Sequence, residues 1–205
     1  MHDARKIAII DDDAELRQSL NLLLKSNGFE SHPYGSAQGF LDCSDPESFD
    51  CVVTDVRMRD MSGVELLVAM KRAALSVPVL VMTAYADVPL ALKIMREGAV
   101  DLLEKPFNDA TLLSAVQKAL SQGAGQRARE SEIRAIRNRL ETLTPREKDV
   151  LKGLLAGHLN KVIAHDLGIG VRTVETHRAV VMEKMQAENI AELLRMSLIV
   201  ELDRH

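Results

Sequence analysis

Cys51-Val52-Val53-Thr54-Asp55-Val56-Arg57-Met58 is the stretch that decides how this chain folds. A run of apolar and β-branched residues ends in one carboxylate, Asp55, as a buried strand does when it delivers an acid to its C-terminal end. Ile7-Ala8-Ile9-Ile10 followed by Asp11-Asp12-Asp13 has the same form. In open parallel α/β sheets that edge is where ligands bind. If the two strands are neighbours, several carboxylates meet there and repel one another unless a cation joins them. A small set of oxygen donors suits Mg²⁺.

Working outward, strands and helical patterns alternate through residue 121. Ala14–Ser26 carries Leu16, Leu20, Leu23 and Leu24 at helical spacing, and Asn27-Gly28 stops it. Phe29–Pro33 reads as a second strand, Ala37–Cys43 as a short helix and Cys51–Thr54 as the third strand. Ser62 is placed to cap a helix over Val64–Ala73. Pro78–Met82 and Val100–Leu103 read as the fourth and fifth strands, and Val88–Glu97 and Asp109–Ser121 as helices. Five such units predict a doubly wound, mainly parallel α/β sheet with right-handed connections.

The composition is that of an ordinary globular protein, 46% hydrophobic and 27% charged. No apolar run reaches the roughly 18 residues of a membrane span, and the apolar run after Lys6 is too short for a signal peptide. The expected compartment is the cytoplasm, where Cys43 and Cys51 would stay reduced. Residues 1–121 hold 12 Lys/Arg against 18 Asp/Glu, a balance of −6, whereas residues 122–205 hold 14 against 12, a balance of +2. An acidic half joined to a mildly basic one hints at a nucleic-acid module.

Ser121-Gln122-Gly123-Ala124-Gly125-Gln126 breaks the helical pattern and predicts a domain boundary. The organisation expected is a domain over 1–121, a linker over 122–142, helical from Arg127 to Leu140, and a smaller all-α domain over 143–205. Thr144-Pro145-Arg146-Glu147 opens a helix to Ala156 with a capping box. Asn160 can cap a second helix to Leu167, and Gly168-Ile169-Gly170 is a tight turn. A third helix follows over about Arg172–Met185 and a fourth over about Ile190–Leu202. A short helix, a glycine turn and a longer polar helix form a helix-turn-helix pattern.

The strand ends carry a coherent chemistry. A carboxylate there can act as a nucleophile toward phosphorus. It needs a metal, a cationic side chain and a hydroxyl to take up phosphoryl charge. Asp11 and Asp12 follow the first strand, Asp55 closes the third, Thr83 follows the fourth and Lys105 follows the fifth. Any one of these alone reads equally as a solvated loop residue; their common placement is what points to one crevice.

Ile-Ile-Asp-Asp-Asp, Thr-Asp-Val-Arg-Met, Met-Thr-Ala and Glu-Lys-Pro-Phe resemble, in order and spacing across residues 5–121, the motifs of a bacterial response-regulator receiver domain. The resemblance implies that Asp55 accepts a phosphoryl group from a sensor histidine kinase. It implies Mg²⁺ held by Asp12, Asp55 and the backbone carbonyl of Arg57, with Asp11 in support through water. Lys105, beside a cis peptide to Pro106, would contact the phosphoryl group, and Thr83 would bond a phosphoryl oxygen and pass the change outward. Two positions depart from the family. Arg59 stands where proline is usual, which alters the charge of a loop bordering the site. Leu102 stands at a switch position usually held by an aromatic residue, which reduces the contact area that can move.

The third C-terminal helix sets Arg172, Thr173, Glu175, Thr176, His177, Arg178 and Lys184 among Val171, Val174, Val180, Val181 and Met185. The apolar set faces the core, and the polar set faces outward, where a recognition helix meets a major groove. A merely solvated face is the other reading of the same composition. Leu-Thr-Pro-Arg-Glu, Asn-Lys-Val-Ile-Ala and Arg-Thr-Val-Glu-Thr-His-Arg resemble the DNA-binding domain of the LuxR/NarL group. Val-Pro-Leu-Ala after Ala86-Asp87, Gly-Ala-Val-Asp and the closing Val-Met-Glu-Lys-Met-Gln-Ala resemble its FixJ-like branch. The resemblance implies that Arg172, Thr173, Val174, Glu175, Thr176, His177 and Arg178 approach double-stranded DNA at a palindromic promoter site. Lys161 and Lys184 would be backbone contacts, and the fourth helix would pair two domains.

The expectation is a DNA-binding transcriptional regulator, by analogy an activator, that forms a homodimer on phosphorylation of Asp55. The receiver would be no enzyme beyond its own phosphotransfer and dephosphorylation. An aspartyl-phosphate phosphohydrolase would need a second acid two residues after the nucleophile, where Arg57 stands. A small-molecule sensor would need an apolar pocket, and the chain has six Phe and Tyr and no Trp. A helix-turn-helix factor whose receiver works without phosphorylation is the remaining alternative.

Overall fold

A computed structural model of the protein describes residues 4–203. Nearest-neighbour contacts divide the chain into two units, with the boundary between Arg127 and Ala128. The first unit holds strands β1 (Lys6–Ile10), β2 (Glu30–Tyr34), β3 (Cys51–Asp55), β4 (Val79–Thr83) and β5 (Asp101–Glu104). Its helices are α1 (Ala14–Ser26), α2 (Ala37–Leu41), α3 (Gly63–Arg72), α4 (Val88–Glu97) and the beginning of α5 (Asp109–Glu141). The strands pair in parallel in the order β2-β1-β3-β4-β5.

Strand alternation builds two apolar layers, because successive side chains leave a strand on opposite faces. Ile7, Ile9, Cys51, Val53, Leu80 and Met82 pack with Leu20 and Leu24 of α1 and Leu112 and Val116 of α5. Ala8, Ile10, Val52, Val79 and Val81 pack with Phe40 of α2, Leu66, Leu67 and Met70 of α3, and Ile94 of α4. Helices therefore cover both faces of the sheet, as the alternation in sequence predicts. Pro33 is accommodated because β2 is an edge strand.

The structure departs from the sequence reading at residues 121–126. Helix α5 runs unbroken through Gly123 and Gly125. Each glycine in a helix costs about 1 kcal/mol relative to alanine, but Gly123 is buried, and a β-carbon there would lie 2.7 Å from Cγ of Pro78. The missing side chain is thus what lets α5 pack here. Arg127 adds a bond from Nη1 to Asp50 Oδ1 at 2.8 Å and a second from Nη2 to the Phe49 carbonyl. Of the helix expected from 127 to 140, Ile136 is 2% exposed among the apolar residues of the second unit, so this stretch belongs to a core.

That unit contains α6 (Pro145–Leu155), α7 (Asn160–Leu167), α8 (Val171–Met185) and α9 (Ile190–Leu202). The capping box is present: Thr144 accepts from Glu147 N–H, and the Glu147 carboxylate accepts from Thr144 N–H. Asn160 does not cap α7 but is its first residue, with Leu159 at the cap position. Val150, Leu151, Leu154, Ile163, Val174, Val181, Met185, Leu193 and Met196 form the core.

Candidate active site and nucleic-acid interface

Sheet order places the carboxylates. β1 lies between β2 and β3, so the chain reverses its direction of winding at the β1/β3 crevice. Asp11 follows β1 and Asp55 ends β3, with Ile10 paired to Thr54. They are 2% and 7% exposed. Lys105, which follows the edge strand β5, bonds both: its Nζ reaches Asp55 Oδ1 and, at 3.1 Å, Asp11 Oδ2. The Lys105–Pro106 peptide is cis. The other Asp55 oxygen, Oδ2, accepts from the Arg57 N–H at 2.6 Å. Both oxygens of the carboxylate are thereby held.

Burial and charge pairing set the electrostatics of this edge. Burial pushes the Asp11 carboxyl up, and the negative charge of Asp55 adds to it, against the Asp13 N–H and Lys105. Burial also works against the Lys105 ammonium, but the Asp55 and Asp11 carboxylates outweigh it and hold its pKa above the usual lysine range. Asp12 is turned toward Arg59, whose Nε lies 3.2 Å from its Oδ2. Among the described residues no group of three His, Cys, Asp or Glu side chains already converges as a metal cage. The donor set itself, hard carboxylate oxygens with protein cations on them, fits a hard divalent ion, which would compete with Lys105 and Arg59 for the same atoms.

Thr83 is the last residue of β4 rather than the residue after it. Its neighbour Met82 is paired with Asp55, and its hydroxyl donates to the Tyr85 carbonyl at 3.0 Å and accepts from the Tyr85 N–H at 3.3 Å. Leu102 is half-buried against the α2/α3/α4 layer. Two residues of the site escaped the sequence reading. Arg17 of α1 donates to the backbone carbonyl of Asp11, and nothing in its spacing signals this. Gly63, between the capping Ser62 and the helix, lies so close to Asp55 that a β-carbon would overlap the Asp55 carbonyl oxygen.

On α8, Arg172, Thr173, Glu175 and Thr176 are exposed, and His177 and Arg178 are half-buried. Val174 is fully buried among the core residues, so it is no DNA contact: the helical stripe that holds α8 to its neighbours includes it. Lys161 is exposed at the start of α7. Lys184 instead ties α8 inward, with Nζ 2.7 Å from Glu147 Oε2 and 3.2 Å from the Thr142 carbonyl. Arg178 Nη1 reaches Asn160 Oδ1 at 3.4 Å and links α8 to α7.

Residues 7–117 match the response regulator receiver domain, and residues 141–197 match the bacterial regulatory proteins of the luxR family. The chain is 46% identical to the transcriptional regulatory protein FixJ of Bradyrhizobium diazoefficiens, over 94% of both chains. It is similar to the solved structure of the response regulator StyR, with a TM-score of 0.82 at 34% identity, covering 99% of this chain and 100% of that one. Full-length FixJ from B. japonicum matches with a TM-score of 0.59 at 45% identity, over 97% and 98% of the two chains. Among the described residues no helix is long and apolar enough to cross a membrane. With a receiver sheet carrying paired carboxylates and a helix-turn-helix later in the chain, the chain belongs to the FixJ-like response regulators, two-component transcription regulators with a LuxR-type DNA-binding domain.

Proposed function

We propose that Asp55 accepts a phosphoryl group from a sensor histidine kinase and that phosphorylation promotes receiver dimerisation and DNA binding. The observation that carries this is the Asp55 carboxylate at the β1/β3 crevice, held by the Arg57 N–H and the Lys105 ammonium. In the transfer, one Asp55 oxygen forms a bond to phosphorus as the phosphorus–nitrogen bond of the kinase's phosphohistidine breaks. Lys105 offers its charge to a phosphoryl oxygen. Mg²⁺, when bound at Asp12, Asp55 and the Arg57 carbonyl with Asp11 in support, supplies further charge neutralisation. The protein acts on no other substrate: where a phosphohydrolase needs its second acid, it has Arg57.

Exposed apolar stripes support the dimer. Val88, Leu92 and Met95 on α4 are 72%, 52% and 48% exposed and recur at helical spacing. Leu194, Leu198 and Leu202 form a similar stripe on α9. Such faces are covered in an assembly more often than left in water. Two receivers joined in this way would bring two α8 helices to a palindromic promoter site and double the phosphate contacts, with activation of transcription as the proposed output. The compartment is the cytoplasm, where the kinase's catalytic domain and DNA are both present.

The test is sedimentation of the full chain with Mg²⁺ and beryllium fluoride, beside Asp55→Asn, with and without promoter DNA. A dimer shift and tighter DNA binding in wild type alone is expected. The same behaviour in both proteins would favour the phosphorylation-independent alternative.

A further inference from the structure

We infer that Tyr85 is the side chain that carries phosphorylation of Asp55 outward, held at rest by the Thr83 hydroxyl and withdrawn from solvent when that hydroxyl turns to the phosphoryl group. The inference rests on the phosphoacceptor role proposed for Asp55.

The argument begins with one proton. A threonine hydroxyl has a single hydrogen to donate, and here it goes to the Tyr85 carbonyl at 3.0 Å. A phosphoryl oxygen carries no hydrogen at neutral pH, so Thr83 can bond it only as the donor. The Tyr85 carbonyl must then lose its partner. Thr83 is 1% exposed, so its hydroxyl is set by these protein contacts rather than by solvent. The same hydroxyl also holds the Tyr85 N–H at 3.3 Å, so both backbone groups of one residue depend on its position.

The next link in the loop points the same way. The Ala86 N–H donates to the Glu104 carboxylate at 3.3 Å, and Glu104 immediately precedes Lys105. The segment around Tyr85 is therefore strung between Thr83 and the neighbour of Lys105, the two residues that change partner on phosphorylation. Asp87 follows and caps α4, with Oδ1 accepting from the Leu90 N–H at 2.7 Å. A movement of Tyr85 is delivered to the first turn of α4, where Val88 is 72% exposed.

The ring supplies a driving force. Of the six Phe and Tyr side chains, Tyr85 alone is exposed, at 63%. A buried aromatic ring removes on the order of 150–250 Å² from water. Leu102 is smaller and already half-buried against the core, so it has little further surface to remove. In this chain the larger reserve of buriable surface at the β4–α4 junction belongs to Tyr85.

The absence of Trp makes the test direct, since Tyr34 and Tyr85 are the whole complement of tyrosines. Tyr34→Phe in the full chain leaves Tyr85 as the single emitter. Acrylamide quenching of that emission is measured with Mg²⁺ alone and with Mg²⁺ plus beryllium fluoride. Loss of quenching on adding the mimic is expected. In parallel, Tyr85→Ala and Tyr85→Phe are labelled with radioactive acetyl phosphate and sedimented with the mimic. Tyr85→Ala should label like wild type yet lose the dimer shift, and Tyr85→Phe should recover it. Normal labelling with unchanged quenching, or full dimerisation of Tyr85→Ala, overturns the inference and leaves the phosphoacceptor role standing. Absence of any label on wild type overturns that role and the inference with it.

Discussion

The backbone of Gly63 rests on the carbonyl oxygen of Asp55, closely enough that a β-carbon on residue 63 would overlap it. The Gly63 N–H also bonds the Val56 carbonyl at 3.0 Å, so the first turn of α3 is locked to the end of β3. Gly63→Ala must push α3 or the Asp55 peptide aside. Overpacking of this kind costs typically about 1–3 kcal/mol. The expected outcome is a lower melting temperature together with slower acetyl-phosphate labelling of Asp55. A stable Gly63→Ala protein that labels at the wild-type rate would show that the contact positions nothing.

Arg59 pairs with Asp12, a carboxylate proposed to hold the divalent cation. The Arg59 side chain is 83% exposed, so its pairing at 3.2 Å is screened and such pairs are worth about 0–1 kcal/mol. Arg59→Ala should therefore tighten Mg²⁺ binding by a factor of up to about five, since roughly 1.4 kcal/mol is tenfold. Isothermal titration of the unphosphorylated protein with Mg²⁺ reads this without any turnover. Unchanged or weaker binding would mean that Arg59 leaves Asp12 free to the metal.

Asp50 anchors the far edge of the sheet. Burial opposes its charge, but the Lys6 N–H at 2.9 Å, Arg127 at 2.8 Å and Arg5 at 3.1 Å outweigh that and hold its carboxyl below the usual range. A depressed carboxyl contributes stability above its unfolded pKa, near 4, and loses it as pH falls through the folded value. Asp50→Asn should be destabilised at pH 7 by about 1.5–3 kcal/mol, the range for hydrogen bonds to charged groups. Its deficit against wild type should shrink as pH drops below 4. Thermal melts across pH 3–7 check the sign: a deficit that widens in acid contradicts it.

Lys161 and Lys184 should separate into different roles. Lys161 is exposed, whereas Lys184 bonds Glu147 and holds its carboxyl below the usual range. A residue that neutralises one DNA phosphate contributes about 0.9 to the slope of log affinity against log salt. Lys161→Ala should lower the magnitude of that slope by roughly this amount. Lys184→Ala should leave the slope unchanged and lower the melting temperature of the protein. A reduced slope for Lys184→Ala would return that residue to the interface.

Local pattern and global arrangement divided the problem unevenly. Strand alternation around Asp55, the leucine spacing of α1 and the Thr144–Glu147 capping box are short-range features, and each is legible because its physics acts within a few residues. The break expected at Gly123 failed for the opposite reason. Helix propensity counts a glycine as a cost, and only the approach of Pro78, distant in sequence, turns the missing side chain into a packing advantage. At Val174 two readings met: motif position set it among the residues that approach DNA, while apolar spacing set it in the core, and the core of the second unit buries it completely.

The amino-acid sequence by itself determined the element order, the parallel two-layered class, the helix-turn-helix and the identities of Asp11, Asp55, Thr83 and Lys105. These follow from periodicity and from which residue ends each strand. Only the tertiary structure decided that Lys105 bridges Asp55 and Asp11, that Arg59 occupies Asp12, that Lys184 faces inward and that the Thr83 hydroxyl is committed to Tyr85. Each of those is a pairing between atoms on different elements or across a turn. Its partner is chosen by sheet order, strand register and rotamer, and no spacing along the chain encodes that choice.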